Sequence, residues 1–105
     1  MTEFQDNVYR LVSAIPKGKV TTYKQLSLCL NGVSAQAIGQ ALKRNPNAPA
    51  IPCHRVIKSD LSLGGYFGQI EGEKTRQKRK LLLQEGVFFT AAGKLKDPSR
   101  LFLLR

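Results

Sequence analysis

Phe4, Val8, Leu11, Val12 and Ile15 recur at three- and four-residue intervals, the spacing that puts them on one face of a helix. Thr2, with Gln5 three residues later, has the form of a capping box, in which side chains satisfy the free N–H groups of a helix start. Residues 3–15 are therefore predicted as an amphipathic helix, stopped by Pro16-Lys17-Gly18-Lys19. Thr22 and Gln25 repeat the capping pattern ahead of a short helix from Tyr23 to about Leu30, with Leu26, Cys29 and Leu30 facing inward. Asn31-Gly32 supplies the left-handed conformation that ends helices, and Ser34 caps a third helix reaching about Arg44, with Ile38 and Leu42 as its large apolar positions. A loop rich in Pro and Asn, Asn45 to Ala50, leads into Ile51-Pro52-Cys53-His54-Arg55-Val56-Ile57. Beyond the flexible Gly64-Gly65-Tyr66-Phe67-Gly68, a fourth helix is predicted from about Gly72 to Glu85. Glu71 and Glu73 at its start, with the bases of Lys74 to Lys80 after them, suit the helix dipole, and Gly86 ends it. Val87-Phe88-Phe89 and Leu101-Phe102-Leu103 are expected to pair as short strands about a turn at Gly93. The expected fold is mainly α with a small β wing, a winged-helix-like helix-turn-helix domain occupying residues 1–105 as a single unit.

The third helix has an unusual composition. Ala35, Ala37, Gly39 and Ala41 are small, and Lys43 and Arg44 sit at its end. Gly39 costs about 1 kcal/mol of helix stability relative to Ala, so it should serve a purpose. Either the small face packs against another helix, or it lets the backbone approach a partner such as DNA, and the sequence leaves both open. Composition bears on this choice. Seventeen Lys and Arg against 7 Asp and Glu give a formal charge of +10, which attracts polyanions and favours salt-dependent nucleic-acid binding. Many small basic proteins have no such role. A hydrophobic fraction of 42% excludes a disordered basic tail.

No apolar run approaches the roughly 20 residues of a membrane span, and with the acids Glu3 and Asp6 near the start no secretory signal is expected. Two cysteines cannot build a disulfide framework, and one His with two Cys, without ligand spacing, leaves no metal site to expect. The expectation is an intracellular protein, cytoplasmic or nuclear, monomeric and without a membrane partner.

Cys53 is the candidate nucleophile. A thiolate is the reactive form, and cations such as those at His54 and Arg55 would lower its pKa. Adjacency alone is weak, because neighbours on a strand face opposite ways, but Pro52 suggests a turn that could bring Cys53 and His54 together. The competing reading is an inert buried cysteine beside a hydrogen-bonded histidine. Cys29, on the apolar face of its helix, reads as core. Glu85 lies at a helix C-terminus, where a carboxylate is disfavoured, and this hints at a partner such as His54, although an exposed glutamate would fit as well. Tyr23, Tyr66 and Phe67 could face a ligand or close the core.

Ile51-Pro52-Cys53-His54-Arg55-Val56-Ile57 resembles the Pro-Cys-His-Arg-Val signature of O6-alkylguanine-DNA alkyltransferases, the methylated-DNA–protein-cysteine methyltransferases. Ile15 to Tyr23, Ala37 to Leu42, Asn45-Pro46, Gly64-Gly65-Tyr66 and Leu82 to Gly86 extend the resemblance, in order, over residues 4 to about 90. The resemblance implies a protein that binds duplex DNA carrying O6-alkylguanine through the minor groove and flips the base out. Cys53 would then take the alkyl group in a single-turnover reaction without cofactor or metal. It implies His54 as base, Glu85 as its orienting partner, Tyr23 as donor to the leaving guanine and Asn45 as brace of the cysteine turn. The substrate pocket would draw on Tyr23, Cys53, Val56, Ser59, Tyr66 and Phe67, with carbonyls near Cys53 and Val56 and the N–H of Phe67 reading the guanine. DNA would be held by Thr22, Lys24, Ser34, Ala35, Gln36, Ala37, Gly39, Lys43 and Arg44.

The chain departs from the family at several points. Gln36 stands where the family usually has an arginine that fills the space of the flipped base, and glutamine brings less charge and stacking area. Phe67 is larger than the small polar residue usual there, and the expectation is a catalytic domain without the family's common N-terminal domain, which is not the seat of the chemistry. Alkyltransferase-like proteins on the same scaffold usually have tryptophan where this chain has Cys53. The alternatives to repair are a non-catalytic protein that binds the lesion, which Gln36 supports, and a winged-helix DNA-binding domain with an incidental cysteine.

Overall fold

The computed structural model describes residues 2–66 and 72–103, so Phe67 and Glu71 lie outside the described residues. Its helices are α1 (Glu3–Ser13), α2 (Tyr23–Cys29), α3 (Ala35–Lys43) and α4 (Glu73–Gln84), and its strands are β1 (Thr21–Thr22) and β2 (Val56–Ile57). Short 3₁₀ turns cover Cys53–Arg55 and Pro98–Arg100. The helix starts follow the caps. Thr2 Oγ1 accepts from Gln5 N–H at 3.1 Å while Gln5 Oε1 accepts from Thr2 N–H at 3.2 Å. Thr22 and Ser34 cap α2 and α3 through the N–H groups of Gln25 and Ala37.

The amphipathic face of α1 supplies Val8, Val12 and Ile15 to a core completed by Leu26, Ile38 and Val56. Tyr9 is buried as well, and its hydroxyl donates to the Ala41 carbonyl at 2.7 Å, which ties α1 to α3 where α3 is narrow. Asn31 and Gly32, at φ 60 and 78, turn the chain between α2 and α3. A second apolar cluster gathers Val20, Ile57, Leu82, Val87, Phe89 and Leu95. Strand residues alternate in direction, so β2 turns Val56 into the first cluster and Ile57 into the second. Both are fully buried, and each contributes about 1.5–3 kcal/mol by leaving water. The segment immediately after Cys53 is thus anchored on both sides. β2 is further held by parallel pairing with β1, Thr21 opposite Val56 and Thr22 opposite Ile57.

The small β element differs from the expected one in its partners. Phe89 bridges Leu95, and Leu101 joins Val20 in parallel rather than facing residues 87–89. Two local structures explain this. Val87 N–H closes α4 by bonding the Leu82 carbonyl across Gly86 at φ 85, which leaves Phe89 as the first residue free to pair. The turn at Pro98–Arg100, begun by Asp97 Oδ1 on Ser99 N–H, then carries the chain across to Val20, where Val20 N–H bonds Arg100 O at 2.9 Å and Phe102 N–H bonds Val20 O at 2.7 Å. Among the described residues no helix is long and apolar enough to cross a membrane.

Candidate active site and nucleic-acid interface

The loop ahead of Cys53 is built around Asn45. Its Nδ2 donates to Ile51 O at 2.8 Å, and its Oδ1 accepts from Asn47 N–H at 2.9 Å. Pro52 sits at φ −83 and ψ 64, and Cys53 N–H bonds Ile51 O at 2.8 Å, which together make an inverse γ-turn. The chain passes from this turn directly into the 3₁₀ turn of Cys53–Arg55. Cys53, His54 and Arg55 therefore project in a fan rather than alternating as on a strand.

Cys53 is 4% exposed and lies in the lining of a cleft of about 600 Å³ shared with Tyr23, Gly39, Lys58, Tyr66 and Gly93. Burial pushes its thiol pKa up. Hydrogen bonds from Asn45 and Tyr66 and the charge of Lys78 pull the other way without overcoming burial. This corrects the expectation of a thiol acidified by its sequence neighbours. His54 and Arg55 both point at Glu85, so the cation that acts on the sulfur is Lys78.

Lys78 has no counterpart in the sequence reading, where the Lys74–Lys80 run reads as a basic face. It is 1% exposed, and its Nζ donates to the carbonyls of Val56 (2.7 Å), Leu63 (2.7 Å) and Gly65 (2.9 Å). Burial draws its pKa down to about 7, opposed by the attraction of Cys53. One ammonium thereby joins β2 to the loop that carries Tyr66. The available signal was Leu82, one turn further along the same helix face and fully buried.

Glu85 caps the C-terminus of α4. Its Oε2 lies 2.9 Å from His54 Nε2 and 2.8 Å from Arg55 Nη2, and its Oε1 accepts from Arg55 Nε at 2.9 Å. Burial alone would raise this carboxyl, but the hydrogen bonds and charges of Arg55 and His54 outweigh it and hold the pKa below the usual value. An ionised carboxylate can only accept, so Nε2 of His54 carries the hydrogen and Nδ1 carries the lone pair. Nδ1 is buried with no hydrogen-bond partner among the described residues. Burial also lowers the pKa of His54. Glu85 opposes this, and the charges of Arg55 and Lys78 add to it.

Tyr23, the first residue of α2, lines the cleft half-buried, with its pKa raised by burial and by Cys53. Tyr66 is 4% exposed and hydrogen-bonds Cys53; burial, then the charge of Cys53, raises its pKa. The Val56 carbonyl accepts from Lys78, and the Cys53 carbonyl accepts from Val56 N–H. Ser59 is exposed and outside the cleft lining, its Oγ accepting from Lys24 N–H at 3.2 Å. Cys29 is half-buried and lines a separate cleft of about 470 Å³, beside Phe4 and Leu30, that holds none of the candidate catalytic residues.

The candidate DNA face is mostly open. Lys24, Ser34, Ala35, Gln36, Lys43 and Arg44 are exposed, and Ala37 and Gly39 are half-buried. A Cβ at Gly39 would meet nothing within 4 Å, so this glycine is not packed against another helix and faces the cleft side of α3. Thr22 is 8% exposed, and its hydroxyl is engaged in capping α2.

Fold and site together define a helix-turn-helix domain with a cysteine recessed in a cleft beside its second helix. Residues 3–87 match the family described as 6-O-methylguanine DNA methyltransferase, DNA binding domain. The chain belongs to this family. It is 44% identical over 86 residues to the methylated-DNA–protein-cysteine methyltransferase of Methanothermobacter thermautotrophicus, covering 82% of this chain and 46% of that protein. To the protein of the same name from Pyrobaculum aerophilum it is 50% identical over 72 residues, covering 69% and 45%. The chain thus spans about half the length of these curated relatives. Among solved structures, the O6-methylguanine-DNA methyltransferase of Pyrococcus kodakaraensis superposes with a TM-score of 0.70 at 40% identity, over 83% of this chain and 48% of that one. Atl1 of S. pombe, in complex with damaged DNA containing O6-carboxymethylguanine, superposes with a TM-score of 0.78 at 30% identity, over 97% and 96%.

Proposed function

We propose that the protein is a single-turnover alkyltransferase that moves the alkyl group of O6-alkylguanine in duplex DNA to Cys53, acting as a monomer without cofactor or metal. The observation that carries this reading is the recessed Cys53 beside a histidine whose Nε2 is tied to Glu85 and whose Nδ1 has no hydrogen-bond partner among the described residues. The α3 face, with its small residues and its flanking Lys24, Lys43 and Arg44, suits close approach to a minor groove. Extruding the guanine costs a few kcal/mol and brings its O6 substituent into the cleft. His54 Nδ1 takes the Cys53 proton through one water, and Glu85 stabilises the imidazolium. The sulfur attacks the alkyl carbon, an S–C bond forms, the C–O bond breaks, and the electron pair leaves on the guanine oxygen. Tyr23 hydrogen-bonds the departing guanine anion, which takes up one proton, so that the proton lost from the sulfur to His54 is balanced by one gained at the base.

A raised thiol pKa is compatible with this order of events, because the proton leaves only when a base and a substrate are in place. The charge of Lys78 then stabilises the thiolate that forms. Intact-protein mass measurement after incubation with an O6-methylguanine duplex should show one added methyl group per molecule, located at Cys53. Cys53→Ser should abolish the adduct and keep duplex affinity within about twofold, since the sulfur contributes little to docking. Binding without any adduct would refute the proposal and favour lesion recognition alone. That second reading is supported by the near full-length superposition on Atl1 and by Gln36 at the start of α3.

A further inference from the structure

We infer that Arg55 is a positioning residue for the transfer step: by engaging both oxygens of Glu85 it fixes where His54 points and limits how much of the carboxylate's charge reaches the imidazole. The inference rests on the reading that Cys53 is a nucleophile deprotonated by His54. The arginine presents a two-pronged fork, Nε to Oε1 at 2.9 Å and Nη2 to Oε2 at 2.8 Å. Such pairing sets the plane of a carboxylate as well as its place. Its remaining nitrogen, Nη1, donates to the Ile15 carbonyl at 2.8 Å, just beyond α1. Arg55 is thus fixed to the framework at one end and to Glu85 at the other. Oε2 is the shared atom, accepting from Arg55 and from His54 together.

This sharing has a chemical consequence. A carboxylate facing an imidazole alone stabilises the imidazolium, and a histidine already protonated cannot accept a proton from sulfur. A guanidinium on the same oxygens offsets that pull. The charged groups that act on His54 are Glu85 and Lys78 from α4 and Arg55 from its own turn, and α1 offers it no ionised side chain. Of the two cations, only Arg55 touches Glu85. Removing it leaves Glu85 to act on His54 uncompensated, and removing only its fork, by Arg55→Lys, keeps the charge while freeing the carboxylate to rotate.

The chain has a single histidine, so one imidazole signal in NMR reports on this residue without assignment ambiguity. In the DNA-free protein, His54 of Arg55→Met should titrate higher than the parent by about one pH unit, and His54 of Arg55→Lys close to the parent. In single-turnover transfer from an O6-methylguanine duplex, the acid limb of the pH–rate profile should move upward with the same variant by the same amount. Arg55→Lys should keep the parental midpoint but lose about tenfold or more in the plateau, through misorientation. A uniform loss in Arg55→Met at every pH, with the imidazole titration unmoved, would show a merely structural arginine and overturn the inference. Should Arg55→Met fail to fold, Arg55→Lys decides: a parental plateau overturns the inference, and a lowered plateau at an unchanged midpoint supports it. If the parent protein forms no S-alkyl adduct, it is the alkyltransferase reading that fails, and the imidazole titration still decides whether Arg55 governs His54.

Discussion

Lys78→Met is the most demanding test of the structure. The substitution keeps an unbranched apolar stem and removes an ammonium that is 1% exposed and bonded to the carbonyls of Val56, Leu63 and Gly65. A buried acceptor left without a donor costs about 1–3 kcal/mol, and methionine offers no donor. The bond to Val56 is fully buried, so its loss is felt in full. The bonds to Leu63 and Gly65 are part-buried, and water recovers some of theirs. Against this stands relief: an ammonium taken out of water is expensive, and burial draws its pKa from 10.5 to about 7. The lowered pKa shows that the bonds leave part of that cost standing, but the amine or ammonium is the donor to all three carbonyls, so its removal should leave a net loss of about 2–4 kcal/mol. Urea unfolding at unchanged m reads this as a shift of the midpoint. The pH dependence carries a sign. Between about 7 and 10.5 the unfolded chain holds the Lys78 proton and the folded protein releases it, so this residue adds stability as pH rises through that window. The deficit of Lys78→Met should therefore widen from neutral to alkaline pH. A variant as stable as the parent at neutral pH would refute the reasoning, since the carbonyls would then need no donor.

Two further outcomes follow from the same geometry. Gly39→Ala should stabilise α3 by about 1 kcal/mol, since a Cβ there meets no atom, and should weaken duplex binding and transfer because it intrudes on the cleft side of that helix. Raised thermal stability combined with unchanged DNA affinity would remove Gly39 from the interface. His54 and Glu85 both titrate below their ordinary values, so the unfolded chain binds the extra protons and stability falls with acid. Loss should begin below about pH 6.5 through His54 and steepen below about 4.3 through Glu85. Glu85→Gln should flatten the lower part of a curve recorded by urea midpoints across that range, and an unchanged lower limb would show that Glu85 is not charged in the fold.

Much of this was legible because the relevant signals are local. Capping residues and three-and-four spacing mark α1 to α3 in the chain itself, the order of acids and bases with the closing Gly86 marks α4, whose start carries no side-chain cap, and Pro52 announces a turn at the cysteine. Glu85 at a helix C-terminus is a charge in the wrong place, which is readable as a request for a partner, although Arg55 as the stronger of its two partners is not. What escaped depends on contacts distant in sequence. β1 and β2 are two residues each, too short for any period, and their parallel pairing exists only because two clusters close over Val56 and Ile57. The acidity of Cys53 was misjudged for a related reason. Neighbouring cations count only if they face the sulfur, and here they face a carboxylate 30 positions away while the effective charge comes from a lysine hidden in a basic run.

Arg55 and Lys78 belong to the excess of positive residues, yet one is spent on a carboxylate and the other on main-chain oxygens. Neither can displace a sodium ion from a phosphate. On the proposed DNA face, the steepness with which duplex affinity declines as salt is added should therefore belong to outward residues such as Lys24, Lys43 and Arg44. Titrations in rising sodium chloride should thus sense the grip on the sugar–phosphate rail, and substitutions beneath the cleft should leave that slope unchanged even where they silence the proposed chemistry.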